Sequence, residues 1–187
     1  MNARGVSKVV VLTICLALLF AFSVTESFAV SKVEIAAGVN ASLDRFDKQV
    51  KGSKEFRKVA KGILVIPNVT KAAFIVGGQY GQGALIEGGK TAGYYSLAAG
   101  SLGWQIGAEK YDLVIIFATD EALKKFQSSE GWEAGVDAEV TLVDTGVDVP
   151  ASTLVSQHPV LGFVFDQKGL LAGVSVKGAK FTKINPD

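Results

Sequence analysis

Residues 84–91 are the first candidate for chemistry, because they match a relaxed phosphate-loop pattern. Ala84-Leu-Ile-Glu-Gly-Gly-Lys90-Thr91 places two glycines before a lysine, and Leu113–Asp120 resembles the apolar strand and aspartate that would position magnesium. A phosphate loop needs a helix that begins at the lysine, so that its free amides face the phosphates. The sequence Ala92-Gly93-Tyr94-Tyr95 does not favour a helix start. We therefore predict a hairpin turn at Glu87–Lys90 and keep a nucleotide-binding enzyme as a distant alternative.

The remaining reactive residue types do not form a recognisable site. His158 is the only histidine and Cys15 the only cysteine, so a zinc site of the usual composition has too few ligands. A Ser/His/Asp triad would need a serine in a nucleophile-elbow sequence, and none is present. Trp104 and Trp132 are scattered among apolar runs and are predicted to be core residues rather than a ligand floor. We predict no catalytic residue, no metal site and no cofactor.

Basic residues are concentrated between residues 45 and 61. This stretch also contains Asp47 and Glu55, but its local balance is positive, and a basic face of this kind can attract an anionic membrane surface. The predicted lipid-binding residues are these basic side chains, with Lys71 near the same end of the sheet: Lys48, Lys51, Lys54, Arg57, Lys58, Lys61 and Lys71. The alternative is a solvated helix face without lipid affinity.

The first 29 residues have the order of an export signal. Arg4 and Lys8 precede an apolar run from Val9 to Phe22, and Ser27-Phe28-Ala29 provides small residues where a signal peptidase acts. We expect cleavage after Ala29 and a location in the periplasm or cell envelope. An uncleaved membrane anchor is the alternative.

Removal of residues 1–29 leaves 17 of the 19 basic and 17 of the 18 acidic residues, and no cysteine. A chain with zero net charge has no global field that would attract nucleic acid. Without disulfides the exported part must be stabilised by its own core, and residues 30–187 are enough for one domain. No linker divides this part, and its oligomeric state is not predicted.

Two helices are expected at the start of this domain. Ile35, Val39, Leu43, Phe46 and Val50 recur at spacings of three and four, which places them on one helix face. A second helix should begin with Ser53 as its N-cap and stop at Gly62.

From Gly62 the pattern changes to short apolar runs separated by glycine, which predicts antiparallel strands. The runs are 63–66, 72–76, 84–86, 94–97, 104–106, 113–118, 138–143, 160–165 and 170–177. The glycines of 77–83 lack the dinucleotide-binding order and predict a bulged strand in close contact with a neighbour. One helix, Glu121–Phe126 capped by Thr119 and Asp120, interrupts the strands, and Asp144–Pro159 is predicted to be an exposed loop.

A turn is expected at Asp166–Gly169, and a bulge or a second tight turn at Lys177–Lys180. The first would make the last two runs a closing hairpin. The fold class is therefore α+β, with amphipathic helices packed on a glycine-rich, mainly antiparallel sheet or barrel-like sandwich.

Four spaced motifs resemble the SYLF domain. They run in order through the expected mature chain, from Lys61-Gly-Ile-Leu-Val-Ile-Pro67 and Lys71-Ala-Ala-Phe-Ile-Val-Gly-Gly78 to Gly103-Trp-Gln-Ile-Gly-Ala-Glu-Lys-Tyr-Asp112 and Lys168-Gly-Leu-Leu-Ala-Gly173. The resemblance implies a lipid-binding module. Eukaryotic members bind phosphoinositides and yeast relatives bind actin filaments, while bacterial relatives are exported. Where eukaryotic members carry Trp-x-Ala-Pro, this sequence has Tyr94-Tyr-Ser-Leu97, and it has no SH3 domain.

The sequence therefore predicts an exported, non-enzymatic SYLF-like module of bacterial type that binds an anionic phospholipid surface. The alternative is a structural or protein-interaction module of the envelope without lipid affinity.

Overall fold

The computed structural model describes residues 30–146, 150–169 and 175–187, and side chains at 73–76, 101–106 and 169 are not described. The expected export signal lies outside this part. The described residues form four helices and one six-stranded sheet that is antiparallel except for one short pair. The predicted α+β class, with helices packed on a mainly antiparallel sheet, is confirmed.

Helix α1 (Lys32–Gln49) begins with a reciprocal cap, because Ser31 accepts the Glu34 N–H while the Glu34 carboxylate accepts the Ser31 N–H. Its predicted apolar face is buried at Ile35, Val39 and Phe46.

Helix α2 (Ser53–Val59) follows after one turn. Its N-cap is Gly52, whose φ of 72° reverses the chain direction, and Ser53 is the first helical residue. The prediction of Ser53 as the cap was wrong by one position.

Strands β1 (Gly62–Glu87) and β2 (Lys90–Phe117) form one long antiparallel hairpin. The sequence predicted six short strands here. They merge because bulges after Ile66, Phe74 and Leu85 absorb the irregular positions without ending the pairing. The predicted turn at Glu87–Lys90 is confirmed, with Gly88 and Gly89 both at positive φ as a tight hairpin turn requires.

Strands β5 (Val160–Gly169) and β6 (Lys180–Ile184) both pair with β2, at successive positions along the edge that β1 leaves open. The predicted turn at Asp166–Gly169 was wrong, because these residues continue β5 through a bulge opposite Lys110–Asp112. Asp166 has φ 53°, so the turn-forming residue bends the strand rather than reversing it. The predicted turn at Lys177–Lys180 is confirmed, with Gly178 at φ 79°.

Helix α3 (Asp120–Ser128) has the predicted cap, with the Thr119 hydroxyl accepting the Ala122 N–H at 3.2 Å. Strand β3 (Trp132–Glu133) pairs with β6, and β4 (Thr141–Leu142) runs parallel to β5. The predicted strand at 138–143 is therefore shortened to β4. Helix α4 (Ala151–Gln157) lies inside the segment predicted as a loop, and its seven residues are too short for a clear apolar period.

Two apolar clusters lie on opposite faces of the sheet. The outer cluster, under α1, α2 and α4, includes Phe46, Phe56 and Phe163, and the rings of Phe46 and Phe56 each make an edge contact with Phe163. The inner cluster includes Phe126 of α3 and Trp132. Trp132 is therefore a core residue as predicted, whereas the side chain of Trp104 is outside the described residues. Because both faces of the sheet are covered, every residue from 111 to 117 is buried, rather than every second one.

The hairpin curls until β1 contacts itself. A Cβ built on Gly83 would lie 1.8 Å from the Val65 carbonyl oxygen, and one on Gly81 would lie 2.7 Å from Ile66 Cγ2. These two glycines allow the backbone of one end of β1 to approach the other end. The predicted close contact of 77–83 is confirmed, and the neighbour is the same strand. The bulge predicted there was wrong, because 77–83 pairs with 95–101 of β2 without a register shift.

Gly83→Ala should destabilise the protein by about 3 kcal/mol or more, because the new methyl group meets backbone that is fixed by pairing with β2. Urea unfolding measures the change. Gly100→Ala is the matched control, since a Cβ there meets nothing within 4 Å. Its effect should stay within about 0.5 kcal/mol. Equal losses for the two variants would contradict the closed curl.

Candidate lipid-binding site

The junction of α1 and α2 carries four exposed lysines, which we call the basic corner: Lys48, Lys51, Lys54 and Lys58. Lys48 lies in the last turn of α1, and Lys54 and Lys58 are four residues apart on α2, so they share a face. The turn at Gly52 brings the two helix ends together around a cleft of about 390 Å³ lined by residues 47–55. Three of the seven predicted residues, Lys48, Lys51 and Lys54, therefore line this cleft, and Lys58 lies one turn further along α2.

Two other predicted residues lie beside the corner but are already engaged. The Arg57 guanidinium contacts the Asp47 carboxylate at 2.5 Å, and Lys61 lies 3.7 Å from Asp120. Within the described ranges, none of the four lysines of the basic corner forms an ion pair. The corner therefore offers the least compensated positive charge of the predicted set.

Lys71 does not belong to this surface, so its predicted place beside the basic stretch was wrong. It is only 6% exposed and lies on the inner face of β1, opposite Glu109 of β2. The bulge after Ile66 shifts the in-and-out alternation of β1, so that Lys71 faces inward. No local sequence pattern indicates that bulge.

The inner face around Lys71 holds a row of buried polar side chains. The Tyr111 hydroxyl donates to Gln79 Oε1, and Gln79 Nε2 donates to the Ser175 carbonyl at 3.4 Å. Burial and the negative charge of Glu109 raise the pKa of Tyr111 well above its usual value. Tyr111 therefore stays protonated and acts as a hydrogen-bond donor.

A clamp of charged residues fixes α1 on the sheet. Asp112, 1% exposed, accepts hydrogen bonds from Arg45 Nε and Nη2 at 2.8 and 2.6 Å and from the Asn68 N–H at 2.9 Å. Arg45 Nε also lies 3.2 Å from Asp166, which pairs with Lys168 at 3.0 Å. Asn68 and Asp166 are the two non-glycine residues with positive φ in the described chain. The clamp therefore joins α1 to the bulges of β1 and β5.

Sequence reasoning missed this clamp, although one signal was present. Asp112 interrupts the apolar run of β2, and a buried carboxylate requires a partner. Arg45 stands at the start of the basic stretch 45–61, and no local pattern shows that it turns towards the sheet.

The other candidate residues do not form a site. Lys90 begins strand β2 rather than a helix, so the phosphate-loop arrangement is absent. His158 caps α4 and its Nδ1 lies 3.1 Å from Thr141 Oγ1. Across the described ranges no group of three metal-ligating side chains occurs. A search of the same residues finds no helix with the length and hydropathy of a membrane span.

Comparison with known proteins gives one consistent relationship. Residues 98–185 match the Ysc84 family, described as "Las17-binding protein actin regulator". "LAS seventeen-binding protein 3" of Saccharomyces cerevisiae is 30% identical over 129 residues, which cover 65% of this chain and 28% of that protein.

A human protein, "SH3 domain-containing YSC84-like protein 1", is 29% identical over 125 residues, or 64% of this chain and 36% of its own length. The chain thus spans about a third of the length of these relatives.

Arg45→Met should destabilise the protein by about 2–3 kcal/mol, because it leaves the buried Asp112 carboxylate without its charged donor. The value is below that of a fully buried pair since the Arg45 side chain is 28% exposed. Urea unfolding measures it, and Lys124→Gln is the control that removes an exposed charge outside the clamp. A loss no larger than that of the control would show that the clamp does not hold α1.

Acid should weaken the same clamp. The Lys168 hydrogen bond, with the Arg45 charge, holds the pKa of Asp166 below its usual 3.8 in the folded state. The resulting stability is present above pH 3.8 and is lost as pH falls through the folded value. Asp166→Asn should therefore lower stability at neutral pH and flatten its pH dependence below pH 4, as followed by urea unfolding between about pH 2 and pH 6. An unchanged acid slope would contradict this role.

Proposed function

We propose that this chain, which is similar to the Ysc84 (SYLF) proteins over part of its length, is a non-enzymatic module that attaches to anionic phospholipid through its basic corner. The motif resemblance seen in the sequence is confirmed by the family match and by the yeast and human relatives. Lipid attachment is our proposal, and the observation that carries it is the set of four exposed lysines without ion-pair partners at the junction of α1 and α2, three of which line one cleft.

The charge of the corner is sufficient for reversible attachment. Each Lys close to an anionic bilayer contributes about 1 kcal/mol, so four acting together correspond to about three orders of magnitude in affinity. Asp47 and Glu55 also line the cleft and reduce the attraction. Asp47 is partly neutralised by Arg57, which leaves the lysines dominant.

The geometry suits a membrane surface. The basic corner sits at a helix junction that is supported from beneath by Phe56 and Val50, both buried. Exposed lysines on a folded support can approach lipid headgroups without unfolding of the protein, and binding of this kind weakens with salt.

We also propose that the protein is exported and acts in the periplasm or cell envelope, with residues 1–29 as its cleaved signal. The support is the order of charge, apolar run and small residues at the start of the sequence.

A protein partner is the second candidate function. The yeast relative is named for binding LAS seventeen, and the family description refers to actin regulation. By analogy this chain would use the same corner or another surface to hold an envelope protein.

Replacing Lys48, Lys51, Lys54 and Lys58 by Gln should weaken binding to anionic vesicles at least a hundredfold at low salt, with folding preserved. Co-sedimentation with anionic and neutral vesicles at two salt concentrations measures it. The matched control replaces four exposed lysines elsewhere, Lys90, Lys110, Lys124 and Lys183, and so removes the same charge.

Equal losses in the two variants would mean that net charge, and not the corner, drives attachment. Absence of wild-type binding to every vesicle would leave the protein-partner function.

Mass spectrometry of the exported protein should find Val30 as the first residue. A mature species that retains Cys15 would contradict cleavage and indicate a tethered protein.

A further inference from the structure

A second pocket lies far along the chain from the basic corner. It has a volume of about 280 Å³ and lies between the loop at 134–140 and the turn at 176–178; its lining residues are Ala134, Gly135, Glu139, Val140, Val176 and Lys177. We propose that this pocket binds a small zwitterion, in which an ammonium group and a phosphate or carboxylate are joined by a short carbon linker.

The walls of the pocket are fixed by backbone hydrogen bonds. Ala134 N–H donates to the Ala179 carbonyl at 3.0 Å, and Gly178 N–H donates to the Ala134 carbonyl at 2.8 Å. Within the loop, the Asp137 carboxylate accepts the Glu133 N–H at 2.7 Å, and Lys125 donates to the Asp137 carbonyl. A pocket built in this way is preformed, so a ligand does not have to order it.

The chemistry of the lining is complementary to both ends of a zwitterion. Glu139 and Lys177 are exposed side chains of opposite charge, and in the described chain no ion pair joins them. Ala134, Val140 and Val176 supply apolar surface that suits a short carbon linker. A ligand with a single charge would use one wall and leave the opposite charge without a partner.

Gly135 has a specific part in this arrangement. Its φ is 85°, and a Cβ there would lie 2.8 Å from Lys177 Cγ. The glycine therefore lets the aliphatic stem of Lys177 lie across the loop at the edge of the pocket.

The direct test is a titration of the purified protein with O-phosphoethanolamine, followed by NMR shifts of the Gly135 and Lys177 amides. We expect saturable binding in the millimolar range, since both charged contacts are exposed to solvent. Ethylamine and inorganic phosphate are the single-charge probes and should bind more weakly. If either one binds as tightly as phosphoethanolamine, the proposal is wrong.

Variants of Glu139 and Lys177 test whether these two side chains contact the ligand. Glu139→Gln and Lys177→Gln should each weaken binding about fivefold, as expected for one exposed charge contact. The exchange of both charges, Glu139→Lys with Lys177→Glu, should restore binding to within about twofold, because the zwitterion can turn around. Glu130→Gln and Lys124→Gln are controls outside the pocket. Failure of the exchanged variant to recover would overturn the assignment.

Vesicles distinguish the source of the zwitterion. The four-lysine variant of the basic corner is used, so that attachment there does not contribute. Stronger flotation with phosphatidylethanolamine than with phosphatidylcholine vesicles assigns the ligand to a lipid headgroup, because the choline ammonium has no N–H to donate to Glu139. Binding of free phosphoethanolamine without this preference assigns it to a soluble zwitterion.

Discussion

The buried carboxylate of Asp112 is the constraint on which the arrangement of the helices depends. It accepts two N–H groups of Arg45 and the backbone N–H of Asn68, and the same arginine reaches Asp166. A carboxylate in this position is costly unless all of these donors are present. The clamp therefore sets where α1 lies across β1, β2 and β5. Because α2 and the basic corner follow α1 directly in the chain, the contacts of Arg45 with Asp112 and Asp166 also determine where they lie.

The curled hairpin is the second constraint. Strands of this length could form a flat ribbon, but here the two ends of β1 meet at Val65 and Gly83. The curl creates an inner face that α3 and Trp132 close with aromatic contacts, and an outer face that receives the helices. This division explains how a buried tyrosine and lysine can face inward while the lysines proposed to contact lipid remain at a helix junction outside the sheet.

Local patterns predicted the local structure well. The apolar spacing from Ile35 to Val50 identified α1, and the paired glycines at 88–89 identified the hairpin turn. Predictions failed where a distant partner decides the outcome. Aspartate is a residue type that favours turns, but the pairing of β5 with β2 keeps Asp166 in a strand. Lysine is usually found on the surface, but the bulge that begins five residues earlier in β1 changes the alternation so that Lys71 faces inward. Of the seven predicted lipid-binding residues, Lys48, Lys51, Lys54 and Lys58 lie together at the junction of α1 and α2 because their spacing is local. The partnership of Arg45 with Asp112 spans 67 positions and has no local signature.

The orientation of the protein on a bilayer tests the central claim most directly, and the absence of cysteine from residues 30–187 allows single spin labels to be placed at will. Labels at Lys54→Cys in the basic corner and at Thr182→Cys on exposed β6 would be compared by their collision with a water-soluble relaxation agent, with and without anionic vesicles. The account predicts that vesicles shield the label at position 54 and leave the one at position 182 accessible. Shielding at position 182 with full access at position 54 would contradict it.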